Sequence, residues 1–176
     1  TLQGEQAGEF NVVFTAQAVN DTNTSNNSVS AKIQLTDTDA QGNIVVRHSG
    51  QCLTVRNGSK ANGANVVQQT CGDLAYQQWN LVKQRDNIYQ IKADHSGQCL
   101  DVDSGSRRPG TNILQWPCHG GANQLWRLVP RNDVVLLKSV MTGQCVDVDS
   151  GSRRSGANVL QWPCHGDTNQ QWQVDG

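Results

Sequence analysis

Twice in this chain of 176 residues the same five side-chain types recur at the same spacing: Asp101, Trp116, His119, Asn123 and Gln124, then Asp147, Trp162, His165, Asn169 and Gln170. Each member of the second set follows its counterpart by 46 residues. An ionised aspartate only accepts hydrogen bonds, so it can take them from two neighbouring hydroxyls, while an asparagine amide both donates and accepts. An exposed indole offers a flat apolar wall, against which a few placed polar groups fix the orientation of a ring. Together these groups suit a pyranose, with hydroxyls at its rim and a C–H face. They do not suit hydrolysis. Paired carboxylates would have to be Asp101 and Asp103, which as strand or turn neighbours do not oppose each other across a cleft. The chain also lacks a G-x-S-x-G elbow. An enzyme is therefore not expected.

The chain supplies its own comparison. From Asp101 to Trp126 and from Asp147 to Trp172, 20 of 26 aligned positions are identical. An earlier segment carries Thr54, Gln69, Gly72, Tyr76 and Gln77 at the corresponding places. It has lost the carboxylate, the aromatic and the imidazole together, while keeping a cysteine pair and Trp79. Scaffold and site thus vary separately. Trp116 and Trp162, which precede Pro-Cys and have no equivalent in the earlier segment, read as platforms; Trp79, Trp126 and Trp172 read as core. Asp103 and Asp149, each followed by Ser-Gly, read as turn formers. His48 and His95, each before Ser-Gly, are expected to be exposed in turns. Arg107-Arg108 and Arg153-Arg154 follow the site aspartates. They read as solvated turns, with contact to an acidic or sulfated glycan as the sharper alternative.

These residues need a frame, and its signal is a repeat of about 46 residues. Cysteines stand at 52 and 71, 99 and 118, and 145 and 164, each pair 19 apart. That regularity predicts three local disulfides, Cys52–Cys71, Cys99–Cys118 and Cys145–Cys164, rather than a metal cage, since zinc ligands usually come as close couples. Each closes a loop of about 20 residues and stabilises by roughly 3 kcal/mol. Eight residues after the second cysteine of each pair comes a tryptophan preceded by glutamine: Gln77-x-Trp79, Gln124-x-Trp126, Gln170-x-Trp172. The glutamine is expected to satisfy backbone groups where strands bend. Short alternating runs such as Ile88–Ile91, Leu100–Val102, Ile113–Trp116 and Leu125–Leu128 give four strands per repeat and twelve in all. One such unit cannot bury its apolar face alone, so three should close around a pseudo-threefold axis as an all-β fold.

The three Gln-x-Trp signatures, the three cysteine pairs and the Gly-Gln-Cys-Leu-Asp-Val run resemble the ricin-type β-trefoil lectins. That family includes the xylan- and galactan-binding modules of bacterial glycosidases, the family 13 carbohydrate-binding modules. The resemblance covers roughly residues 42–176 and implies a β-trefoil over 41–176, with repeats about 42–86, 87–132 and 133–176. It also implies non-catalytic carbohydrate binding in which the aspartate, aromatic and asparagine contact sugar, joined in the xylan-binding relatives by a histidine three residues past the aromatic. Galactose-, xylose- or arabinose-type sugars and acidic polysaccharide are the implied partners. One departure stands out: where galactose-binding sites often place a glutamine two positions before the aromatic, this chain has Leu114 and Leu160. The alternative reading is a protein-interaction trefoil with vestigial sugar sites.

Residues 1–40 differ in character. Phe10, Val12, Phe14, Ala16 and Ala18 alternate with polar or small residues, as do Val29, Ala31, Ile33 and Leu35, around the turn-forming tract Asn20–Asn27. This predicts a hairpin resembling the end of a bacterial immunoglobulin-like domain. Two strands alone are marginal in water, so the sheet is expected to be completed by an upstream segment removed from this chain, by a partner or second chain, or by packing against the trefoil itself. A net charge of −1 argues against nucleic acid as a partner. No apolar run approaches the ~18 residues of a membrane span, and no cofactor or metal is called for. Beginning at Thr1 without a leader, the chain reads as a processed piece, and its cysteines place it outside the cytoplasm as a secreted protein.

Overall fold

A computed structural model describes residues 39–176, so the expected N-terminal hairpin lies outside the described residues. Twelve strands follow one another, four to a repeat. In the first repeat these are β1 (Ala40–Val46), β2 (Cys52–Val55), β3 (Val66–Gln69) and β4 (Gln78–Arg85). The second contributes β5 (Ile88–Ala93), β6 (Cys99–Val102), β7 (Ile113–Trp116) and β8 (Trp126–Arg131). The third has β9 (Val134–Ser139), β10 (Cys145–Val148), β11 (Val159–Trp162) and β12 (Trp172–Asp175). The outer strands of each repeat pair antiparallel in a closed ring, β1-β4-β5-β8-β9-β12 and back to β1. The inner strands form three hairpins, β2-β3, β6-β7 and β10-β11. Bridges Asn65↔Leu114, Val67↔Asn158 and Asn112↔Leu160 join these hairpins around the pseudo-threefold axis. This is the β-trefoil.

Apolar alternation explains why it closes. Leu53, Val55, Leu100, Val102, Val146 and Val148 turn one face of the inner hairpins into a core shared with Ile44, Ile91 and Leu137 of the ring. Trp79, Trp126 and Trp172 have no exposed surface and contribute equivalent thirds of that core. Each indole N–H donates to a backbone carbonyl of its own repeat: Leu53 at 2.8 Å, Leu100 at 3.0 Å and Val146 at 3.0 Å. A buried indole therefore leaves no orphaned donor. The disulfides pair as expected, Cys52–Cys71, Cys99–Cys118 and Cys145–Cys164.

Adjacent repeats are held together by polar stitches. Gln68, Gln115 and Gln161 are completely buried. The Gln115 amide donates to the Ser59 and Ala61 carbonyls of the first repeat, both at 2.9 Å, and accepts from Ser96 at 2.8 Å. Gln161 does the same with Ser106 and Arg108 of the second repeat, and Gln68 with Ser152 and Arg154 of the third. One histidine departs from expectation. His48 is only 8% exposed, because its ring is folded into the same stitch and Nε2 donates to the Ser152 carbonyl at 2.7 Å. His95 repeats the contact with Ser59, at 2.9 Å, and is half-buried.

Candidate functional site

Strand period places the site. On β6, Leu100 and Val102 face the core, so Cys99 and Asp101 face outward; across the hairpin, Cys99 pairs with Trp116 and Asp101 with Leu114. Asp101, Leu114 and Trp116 therefore share one face. The Cys99–Cys118 bond draws the chain after Trp116 back over β6, bringing His119 and Asn123 above the aspartate. The result is a shallow pocket of about 370 Å³ lined by Asp101, Asp103, Leu114, Trp116, His119 and Asn123. In the third repeat Asp147, Asp149, Leu160, Trp162, His165 and Asn169 line its counterpart, of about 410 Å³. The aspartate, tryptophan, histidine and asparagine read from the sequence thus meet in one place, twice. Trp116 and Trp162 are 43% and 44% exposed, the exposed large hydrophobics among the described residues.

Asp101 is presented as an oriented acceptor. Its Oδ2 accepts from Gln124 Nε2 at 2.7 Å and its Oδ1 from Asn123 Nδ2 at 3.1 Å. Asp147 accepts from Gln170 and Asn169 at the same two distances. His119 Nδ1 accepts the Gly121 N–H at 3.0 Å, which leaves Nε2 as the protonated nitrogen of a neutral ring, 3.7 Å from Asp101 Oδ2. In the third repeat the Nε2–Oδ2 separation is 3.3 Å. Burial raises the pKa of both aspartates above the ordinary carboxylate value; the amide donors and the histidines oppose this without cancelling it.

Gln124 and Gln170 occupy a different position from the other candidates. Both are fully buried and lie behind the aspartates. Gln124 also accepts the His119 backbone N–H at 2.8 Å and donates to the Pro117 carbonyl at 3.1 Å. Gln77 makes the equivalent bonds with Gly72 and Thr70 in the first repeat, where Thr54 replaces the aspartate. In each repeat this glutamine ties the loop that follows the second cysteine to the strand carrying the aspartate or Thr54. The first repeat's site is also filled as well as stripped: Tyr76, in the place of Asn123, packs over Gly58 and against His95.

Three further pairs of residues complete the pockets. Leu114 and Leu160 line the pockets between carboxylate and indole, where the strand pairing puts them. Asp103 and Asp149 form the expected turns and also wall the pockets. Gly63 and Gly110, with φ of +82° and +83°, stand beneath Trp116 and Trp162: an added Cβ would lie 3.6 and 3.7 Å from the respective Cζ3 atoms. Each platform therefore rests on the preceding repeat, and the recurring Gly-x-Asn at 63, 110 and 156 was the available signal. The same geometry relocates the Arg107-Arg108 turn. It borders Trp162 of the third repeat through Gly110, and the Arg107 guanidinium donates to the Met141 carbonyl at 2.8 Å. Among the described residues no group of three or more His, Cys, Asp or Glu is arranged to hold a metal.

The twelve strands close into a β-trefoil that carries two indole-walled polar pockets, and the comparisons with known proteins set that fold among carbohydrate-binding lectins. Residues 87–176 match the ricin-type beta-trefoil lectin domain, and residues 32–116 match the related lectin domain-like model. The chain belongs to the ricin-type β-trefoil lectin family. Among solved structures it is similar to ThreeFoil, a designed 3-fold symmetric protein, with 41% identity over 77% of this chain and 99% of that one, and a TM-score of 0.76. It is similar also to an exo-beta-1,3-galactanase from Clostridium thermocellum, with 32% identity over 76% of this chain and a TM-score of 0.74; there it spans 29% of the partner's length. The Macrolepiota procera ricin B-like lectin, solved with lactose, shares the fold at 14% identity, with 80% of this chain and 98% of that one covered and a TM-score of 0.69. No curated protein matches the chain in sequence.

Proposed function

We propose that this protein is a non-catalytic binder of glycans through two sites, one in the second repeat and one in the third. The observation that carries the reading is the duplicate convergence of a hydrogen-bonded, buried aspartate and an exposed tryptophan on one shallow pocket. Asp101 and Asp147 accept from adjacent hydroxyls, Asn123 and Asn169 add an amide at the rim, and His119 and His165 offer Nε2–H. Trp116 and Trp162 take the C–H face of the ring. Two pockets on one rigid body favour polymeric or clustered glycans, since the second contact is intramolecular. Galactose-, xylose- and arabinose-type sugars are the candidates. Resemblance to about 29% of a galactanase chain supports work as the targeting module of a larger enzyme as well as a free lectin. Three disulfides support a secreted protein. Calorimetric titration with galactose and xylose tests the reading: two sites per chain are expected, and no heat from either sugar, or from arabinose, would count against it.

The raised pKa of the aspartates gives binding a pH dependence separable from folding. A group that holds its proton more tightly folded than unfolded stabilises the fold as pH falls through the window between its two pKa values, and withdraws that support as pH rises. Asp101 and Asp147 therefore do not drive acid unfolding. Their protonation begins at a higher pH than for an ordinary aspartate at 3.8 and removes acceptor capacity from both pockets. Binding should fade on acidification while near-UV circular dichroism stays native. Simultaneous loss of both signals would contradict this assignment.

A further inference from the structure

The twin pockets are not equivalent, and a single position separates them. The turn aspartates, the leucines, the indoles, the histidines and the asparagines correspond one for one, but only the third-repeat pocket has another wall residue, Asp167. Its counterpart is Gly121. The backbone is the same at both, with φ/ψ of −69°/166° at Asp167 and −66°/156° at Gly121, and each N–H donates to the neighbouring histidine Nδ1 at 3.0 Å. What differs is the room above. A Cβ added at Gly121 would stand 2.6 Å from His119 Cε1 and 2.8 Å from Asn123 Oδ1. His119 thus leans over space that a side chain fills in the third repeat. There the imidazole sits closer to its carboxylate, 3.3 Å against 3.7 Å, with the Asp167 carboxylate 3.3 Å from its other edge.

We infer that position 121/167 determines specificity: Asp167 makes the third-repeat pocket favour saccharides with a cationic amino substituent and reject uronates, while the second-repeat pocket, with Gly121, discriminates far less. This rests on the sugar-binding reading above and adds a ligand class to it. The third pocket is walled by three carboxylates, Asp147, Asp149 and Asp167, against Asp101 and Asp103 in the second. The Arg107-Arg108 turn borders Trp162, but neither arginine lines the pocket. Asp167 is well exposed, so its field is partly screened and the effect is one of preference rather than all-or-none.

Single-site proteins test it. Asp147→Ala leaves the second pocket and Asp101→Ala leaves the third, and each is titrated at low ionic strength with hexose, hexosamine and hexuronate of both galacto and gluco configuration. The ratio of hexosamine to hexuronate affinity should be about fivefold larger or more in the third pocket, and should shrink in 0.5 M salt. Asp167→Gly should remove that excess, and Gly121→Asp should transfer part of it to the second pocket. Equal ratios in the two single-site proteins, with the neutral hexose still bound, would overturn the inference and leave the sugar reading standing. Absence of binding to any of the six sugars by the intact chain would overturn the inference, and failure of xylose and arabinose as well would overturn the sugar reading with it.

Discussion

Replacing Asp101 and Asp147 together by threonine, the residue at this place in the first repeat, should lower affinity for the bound sugar by about 100-fold or more, while thermal stability shifts by no more than about 1 kcal/mol. The binding loss is large because each carboxylate is the oriented acceptor of its pocket, and hydrogen bonds to a charged group contribute about 1.5–3 kcal/mol each. The small stability effect follows from what remains. Gln124 keeps its bonds to the Pro117 carbonyl and the His119 N–H, and a threonine hydroxyl at 101 can accept its second Nε2 hydrogen as Thr54 does from Gln77; the same holds for Gln170, so no buried donor is orphaned. Removing two buried carboxylates also relieves the desolvation that raises their pKa. Thr54 at this position in the first repeat, with Gln77 bonded to it, already tolerates the missing charge. Each single variant should halve the number of sites and leave the other pocket unaltered. A double variant that binds as the parent does would remove the site assignment.

Reduction of the three disulfides is the second large effect. Each closes a loop of 19 residues' separation, and at about 3 kcal/mol apiece they sum to about 9 kcal/mol, against a typical domain stability of about 5–15 kcal/mol. The melting temperature should fall by on the order of 20 °C or more in reductant. Binding should fail with it, because Cys118 and Cys164 stand between the platform tryptophan and the histidine and tie that loop to Cys99 and Cys145. Replacing only Cys52 and Cys71 by alanine separates the two roles. That variant should lose about 3 kcal/mol yet bind normally, since the first repeat has Thr54, Gln69 and Gly72 in place of the aspartate, tryptophan and histidine. Unchanged melting in reductant, measured by calorimetry, would mean that the core alone suffices.

Much of this was legible in the residues. Trp79 and Trp116 are the same residue type in the same repeat architecture, yet their fates could be separated: the first recurs in all three repeats beside Gln-x, and the second only where aspartate and histidine accompany it. The β6-β7 register of the folded chain then puts Asp101 and Trp116 on one face. What the chain did not display is the contact between repeats. Nothing in Ile113-Leu114-Gln115-Trp116 says that Gln115 reaches the Ser59 and Ala61 carbonyls, because periodicity describes a strand's own faces and not the neighbour that covers them. His48 was misread for that reason: its Ser-Gly context signals a turn, but the loop of another repeat closes over it. The supporting Gly63 and Gly110 were legible only as a recurring Gly-x-Asn and not as site residues, since each serves an indole in the next repeat.

Five tryptophans are divided between two jobs, and indole N–H resonances report on each one separately. On titration with a bound sugar, the signals of Trp116 and Trp162 should shift in a saturable, dose-dependent way. Those of Trp79, Trp126 and Trp172, bonded to Leu53, Leu100 and Val146 carbonyls in the core, should stay in place. Saturable sugar binding with Trp116 and Trp162 unmoved would contradict the account.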